Sequence, residues 1–412
     1  ESNFKVIRKE LLKQITLSNF NNFFIKFATS LSIQCFLNEY VYFVSEEEEE
    51  SLKKLKKRIE SKIENNQELN DLEIICLSCY TPLHIFKWSK NIITNDNLSE
   101  ILDIQVNDYN KEKNISKKIK SISIVKDRIS IKVKKQYEEN PYPRWRNLGL
   151  SIESKDIKQV IRDISLNVDL KKINFSNNPK ILIAGCGTGQ HAITTASKYK
   201  NSIIYALDLS VNSLAYAKRK SLDLDIKNIK FLQGDLLDLK LLNKKFDIIE
   251  SVGVLHHMDN PEIGWEILKN NLKKDGLMLI GLYSDNARQN IAKIRDDIKK
   301  LKIKTTKNNI INFRKDILKS DNPDWNSLKN SPDFYSLSGV RDLLFHVKEH
   351  RFTIPKLKKY LQKLKLNFIG FEDTIVIEKF KKDYKNPDDL YNLDSWEKFE
   401  NKNLRIFAGM YQ

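Results

Sequence analysis

Apolar and polar positions change their period along this chain, and the changes divide it. Through residue 105, apolar side chains recur every three to four residues: Leu11, Leu12, Ile15 and Leu17, then Phe23, Phe24, Phe27 and Leu31, then Leu52, Leu55, Ile59 and Ile63. That is the period of helices with one buried face. Ser45-Glu46-Glu47-Glu48 has the composition of a capping box, and Glu49 with Lys53 and Glu50 with Lys54 sit one turn apart. The glutamate run therefore predicts a solvated helix start rather than an acidic tail. Pro82 ends or kinks a further helix, and the polar stretch 91–100 predicts a connection. Residues 1–105 are expected to form a helical N-terminal domain.

Residues 107–120 turn polar and basic, which predicts a linker. Ile122, Val125, Ile129 and Val133 suit a helix; Ile129, Ile131 and Val133 also alternate like a strand, and helix is favoured. In Tyr137-Glu138-Glu139-Asn140-Pro141-Tyr142-Pro143-Arg144-Trp145, two prolines fix their own φ and push the preceding residues towards extended conformations. This predicts a stiff arm, so that 106–149 comprise a linker and an arm. From 150 to 412, short apolar runs alternate with helical segments. Strands are expected at 181–184, 203–207, 229–233, 246–251 and 277–283, with helices after 189 and at 211–220 and 261–272. Such alternation predicts a parallel sheet with helices on both faces. Two further strands are expected at 367–371 and 405–410, and 284–353 is longer than a crossover requires.

The chemistry gathers at the first of these strands. It runs into Gly185-Cys186-Gly187-Thr188-Gly189, and the next strand ends on Asp208. Glycines let backbone approach a ligand, a helix N-terminus offers free N–H groups, and a carboxylate at the second strand accepts from ribose hydroxyls. Dinucleotide folds use G-x-G-x-x-G around a pyrophosphate; the shorter G-x-G-x-G suits a ligand without phosphates. Gly234-Asp235-Leu236-Leu237, Phe246-Asp247-Ile248-Ile249-Glu250-Ser251, Val254-Leu255-His256-His257-Met258 and Leu272-Lys273-Lys274-Asp275-Gly276-Leu277 follow in order. With these motifs the chain resembles the class I S-adenosylmethionine (SAM) methyltransferases. Its arm is similar to that of a bacterial group of these enzymes, often fused to tetratricopeptide repeats. This likeness extends from about Asn38-Glu39-Tyr40 to the C-terminus.

The resemblance implies an α/β, Rossmann-like, seven-stranded sheet with an antiparallel last strand, SAM as cofactor and S-adenosyl-L-homocysteine as product. It implies that Gly185, Gly187 and Gly189 approach the amino-acid end, that Asp208 holds the ribose hydroxyls, and that Asp235 and Leu236 face the adenine, with Cys186, Leu209, Gly234 and Ser251 also among the cofactor-binding residues. Asp235 also suits a helix N-cap. The family often carries an acid two residues before the first glycine, where this chain has Ile183, which leaves the methionine amine to backbone oxygens or Gln190. Methyl transfer requires alignment, exclusion of water and at times removal of a proton. His256 or His257 is the candidate general base, and each also suits a loop brace. Tyr142 and Arg144 suit an arm closing over a sulfonium and shaping an acceptor pocket; an aromatic plug packing the helical domain onto the sheet suits them equally.

Other signals change this picture little. Arg341, Asp342, Phe345, His346 and Glu349 are spaced as one helix face, for an acceptor or for ordinary salt bridges. His346 and His350 have ligand spacing without the glutamate of H-E-x-x-H, and no metal is expected. Cys76 and Cys79 suit buried thiols better than a zinc or redox site, and four cysteines in 412 residues suggest a reducing cytoplasm. The net charge of +17 is spread over all segments, although 287–320 hold eleven basic and three acidic residues, so it does not single out nucleic acid as a partner. No long apolar run predicts a membrane span and no leader is evident; Glu1 in place of Met suggests that the chain begins inside a longer product. The segment after the fourth strand lacks the residues for base-amino, cytosine-C5 or arginine methylation, leaving a small molecule or a peptide or protein side chain as acceptor. The helical domain suits a protein partner. Two readings of other classes stand beside the methyltransferase: an NAD-dependent oxidoreductase and a non-catalytic scaffold with a vestigial cofactor fold.

Overall fold

The computed structural model describes residues 2–15, 22–151, 153–164, 166–173 and 175–412; Leu17 of the first apolar stripe lies outside them. Its contacts divide the chain into two units, Glu1–Asn114 with Ile298–Phe345, and Ile115–Asp297 with His346–Gln412. No helix of the described residues is long and apolar enough to cross a membrane.

The first unit is helical. Its helices are Ser2–Gln14, Asn22–Leu37, Glu46–Glu64 and Asp71–Ser78; of the second apolar stripe Leu31 is buried, but Phe23 and Phe27 are exposed. The expected capping box forms: the Ser45 hydroxyl accepts from the Glu48 N–H, and the Glu48 carboxylate accepts from the Ser45 N–H. Glu48 is buried, and its charge is met by Arg8 at 3.1 Å and the Tyr80 hydroxyl at 2.9 Å. Cys76 and Cys79 are buried free thiols, and burial pushes both upward in pKa. The expected linker is instead partly helical, at Asp108–Ser116. Helices Lys307–Lys319 and Leu337–Phe345 belong to the same unit. The Leu337 N–H donates to the Asn38 carbonyl (3.1 Å), the Ser338 N–H to the Glu39 carboxylate (2.6 Å), and Lys315 lies 3.8 Å over the Phe43 ring. The long segment at 284–353 is therefore divided between the units. Its last helix ends at Phe345, so His346, Glu349 and His350 fall outside it, and neither the expected helix face nor the i, i+4 histidine pair forms.

The second unit is built on a sheet of six parallel strands among the described residues: β1 (Lys120–Ser121), β2 (Lys180–Ala184), β3 (Ile203–Asp208), β4 (Ile229–Gln233), β5 (Phe246–Val252) and β6 (Leu272–Gly281), in the order β1-β4-β3-β2-β5-β6. Alternate β2 residues face two cores. Leu182 and Ala184 pack with Trp396 and Phe380, while Ile181 and Ile183 pack with Ala192 and Ala196. Both faces of the sheet are covered, which is why its strands read as continuous apolar runs. The helix expected from 122 instead spans Arg128–Glu139, capped by Asp127, and the Ile122 N–H donates to the Gln233 carbonyl. Tyr137, Glu138 and Glu139 thus form a last helical turn, and the arm begins at Asn140.

Neither 367–371 nor 405–410 is a strand. Their apolar residues serve an aromatic cluster instead: the Phe371 ring lies 4.9 Å from both Trp396 and Phe407, and Phe407 lies 4.7 Å from Tyr411. The antiparallel strand is represented by one bridge, in which Leu282 and Tyr411 exchange backbone hydrogen bonds of 2.9 and 2.8 Å.

Candidate functional site

After the short edge strand β1, the chain passes to β2 at the middle of the sheet, runs outward to β3 and β4, then returns across β2 to β5 and β6. A crevice at the carboxyl ends of β2 and β5 follows from this reversal. Gly185, Gly187 and Gly189 all have left-handed φ, at 80°, 52° and 89°. A Cβ on Gly185 would stand 2.1 Å from Val254 Cγ2, and one on Gly189 2.6 Å from the Ala217 Cβ, so both positions exclude a side chain. The turn is tied to β3: the Gly185 and Cys186 N–H groups donate to the Leu207 carbonyl, and the Gly187 N–H donates to Asp208 Oδ2 at 2.8 Å. Asp208 Oδ1 accepts from the Ser210 N–H at 2.9 Å. Burial raises the Asp208 carboxyl to about 6, against the lowering effect of these two bonds, and nearby Glu138 raises it further. Cys186 is buried, its thiol raised by burial and by Asp208.

The arm is stitched to this turn. The Thr188 hydroxyl donates to the Pro143 carbonyl, and buried Trp145 donates its indole N–H to the Thr188 carbonyl at 3.1 Å. The Tyr142 carbonyl lies 3.1 Å from where a Cβ on Gly187 would sit, and the Tyr142–Pro143 bond is cis. Tyr142 and Arg144 are both partly buried. Glu138, one turn before the arm, accepts from the Val211 N–H at 2.8 Å and the Asn212 N–H at 3.2 Å. It thereby occupies the start of the helix that follows Asp208.

At the other sites the structure is specific. The Asp235 carboxylate caps the turn after β4 by accepting from the Leu237 N–H, and burial raises its pKa. A Cβ on Gly234 would stand 2.2 Å from Ile122, and Leu236 is buried in the core. Gln190 opens the helix after the glycine turn and is partly buried, as is Leu209. Ser251 is fully buried and donates to the Ala184 carbonyl at 3.3 Å. His256 has no exposed surface, and neither ring nitrogen has a hydrogen-bond partner. Its ring stacks on Tyr283 at 3.9 Å, and the Arg288 guanidinium lies 3.7 Å over the Tyr283 ring. Burial, then His257 and Arg288, holds the His256 pKa well below the usual range, so it is neutral at pH 7. Nδ1 of His257 lies 2.7 Å from the Lys348 carbonyl and must donate to it. Arg288 is itself held by Glu349, through contacts of 2.7 and 3.3 Å.

Residues 175–333 match the family model described as a methyltransferase domain. Over these residues the chain is similar to methyltransferase domains. An uncharacterised protein of Synechococcus sp. is 27% identical over 204 residues, covering 47% of this chain and 49% of that protein. The chain thus spans about half the length of the curated relative it matches. Among solved structures, PKMT2 from Rickettsia typhi in complex with AdoHcy is 19% identical, with a TM-score of 0.41 over 55% of this chain and 47% of that chain. An S-adenosylmethionine-dependent methyltransferase from Clostridium acetobutylicum is 24% identical, with a TM-score of 0.25 over 32% and 56%.

Asp208 Oδ2 accepts from the Gly187 N–H and Oδ1 from the Ser210 N–H. Three residues of the cradle escaped the sequence pattern. Glu138 lies inside the arm motif, but only the fold brings it to Val211. Buried Glu250 and partly exposed His191 form a pair at 2.7 Å, which the sequence reading, leaving the methionine amine to backbone oxygens or Gln190, did not foresee.

Proposed function

We propose that the chain transfers the methyl group of SAM to a small molecule or to a side chain of a peptide or protein, releasing S-adenosyl-L-homocysteine. The observation that carries this is the cradle, with three left-handed glycines at the end of β2 tied to Asp208 at the end of β3. In this reading Gly185, Cys186, Gly187, Gly189 and Gln190 line the methionine end, Asp208 and Leu209 the ribose, and Gly234, Asp235 and Leu236 the adenine. Ser251 holds the end of β2 from β5. The sulfonium supplies an already activated methyl group, so the protein's work is alignment and exclusion of water. The arm serves both, with Tyr142 and Arg144 on the segment that Thr188 and Trp145 hold against the turn.

For a proton on the acceptor, His256 is the better candidate, because its nitrogens are unpaired while His257 Nδ1 is committed to Lys348. A buried imidazole without partners is costly, and an acceptor hydroxyl or amine would satisfy it. The His350 N–H holds the His256 carbonyl at 2.7 Å. The helical unit is assigned to docking a protein partner.

Labelled SAM supplied to an extract of the source organism, separated into macromolecular and small-molecule fractions, tests the assignment. Label in protein makes the helical unit a docking module; label among small molecules assigns the acceptor to a pocket walled by the arm; transfer to neither removes the enzyme reading. His256→Asn should lower kcat about 100-fold with SAM affinity unchanged, and an unchanged kcat would leave His256 as a brace.

A further inference from the structure

We propose that the carboxylate which fixes the methionine end of the cofactor site stands on β5, at Glu250, and works as a positioning residue through His191 on the helix after the glycine turn. It rests on the reading of the cradle as a SAM site. Position 183, where related enzymes often carry an acid, is Ile183, and Ile183 lies opposite Glu250 in the β2–β5 pairing. Residues opposite one another on parallel strands face the same side of a sheet. Ile183 packs against Ala192 and Ala196 of the helix Gln190–Lys198, and Glu250 reaches that same helix. Its Oε2 lies 2.7 Å from His191 Nε2 and accepts from the Thr195 hydroxyl at 2.9 Å. The carboxylate has thus moved one strand sideways while keeping its face of the sheet.

Two features give this pair a task beyond packing. A cationic side chain in the first turn of a helix opposes the helix dipole, so helix stability alone would not select it. Burial by itself would lower the His191 pKa; the Glu250 carboxylate outweighs burial and raises it, favouring the imidazolium. Secondly, neighbouring residues of β5 grip both ends of one turn. Ser251 binds the Ala184 carbonyl just before Gly185, and Glu250 holds His191 just after Gly189. Three successive left-handed glycines have no side chains of their own to fix their shape. The clamp supplies that constraint where the amino-acid end of the cofactor must fit.

Two probes separate this from a general structural role: S-adenosylhomocysteine, which carries the amino-acid end, and 5′-methylthioadenosine, which lacks it. In calorimetric titrations of the full chain, Glu250→Gln should weaken S-adenosylhomocysteine about tenfold and leave 5′-methylthioadenosine within about twofold. Should Glu250→Gln fail to fold, His191→Gln gives the same comparison. Equal losses for both probes, or no loss for either, would overturn the clamp. A native chain that binds neither probe would instead remove the SAM reading on which the clamp depends.

Discussion

Asp208 faces two opposed demands. Burial raises its carboxyl to about 6, yet a ribose hydroxyl needs a carboxylate to donate to. Because the folded value stands above the unfolded one, its contribution to stability is fully present below pH 3.8 and is lost as pH rises through about 6. Cofactor binding runs the other way: affinity for SAM should rise with pH through about 6, and Asp208→Asn should flatten that rise in a calorimetric pH series. Glu138 shares in this. Glu138→Gln removes the charge that raises Asp208, so the inflection should move to lower pH. It also removes a carboxylate from the Val211 and Asn212 N–H groups, costing about 0.3–1 kcal/mol, read by denaturant melting.

Among elements, β2 to β5 were legible because each is a short apolar run closed by glycine, aspartate or a polar turn, and both faces are buried. The stretches 367–371 and 405–410 have similar apolar content, but a strand also needs a partner, and partner choice is set by distant packing that spacing does not encode. Phe371 and Phe407 go to the cluster around Trp396 instead. Asp108–Ser116 escaped for the opposite reason, since its residues bear no buried stripe. The arm was legible as a rigid segment from its prolines, while its ties at Thr188 and Trp145 were not, because Thr188 had stood only as a spacer between glycines. Thr188→Val removes one tie and should weaken SAM binding about fivefold, the worth of about 1 kcal/mol. An unchanged affinity would detach the arm from the cofactor. The clamp on the far side of the turn adds a pH effect of its own. His191 faces Glu250, Glu372 and Lys198, and its raised pKa means that the charged pair is present at low pH and lost as pH rises through that value. The preference for S-adenosylhomocysteine over 5′-methylthioadenosine should narrow over the same rise.

For the whole molecule, the division into units has a consequence that the linear order hides. Residues 298–345 read as part of the methyltransferase segment, but they complete the N-terminal helical unit, with Leu337 and Ser338 bonded to Asn38 and Glu39. A fragment of 106–412 would therefore carry Phe313, Ile317, Val340 and Leu344, all buried in the full chain, without the helices of their own unit. It should aggregate or be cleaved between 298 and 345 under limited proteolysis, while the full chain resists there. A stable fragment would show that the helical unit is dispensable to this segment.

The cradle at Gly185–Gly189 and Asp208 is the centre of this account, and one titration bears on it most directly. Calorimetry of the full chain with S-adenosylmethionine should show one site, and Asp208→Ala should abolish it while melting cooperatively. Unchanged affinity in Asp208→Ala would place the cofactor elsewhere and contradict the account.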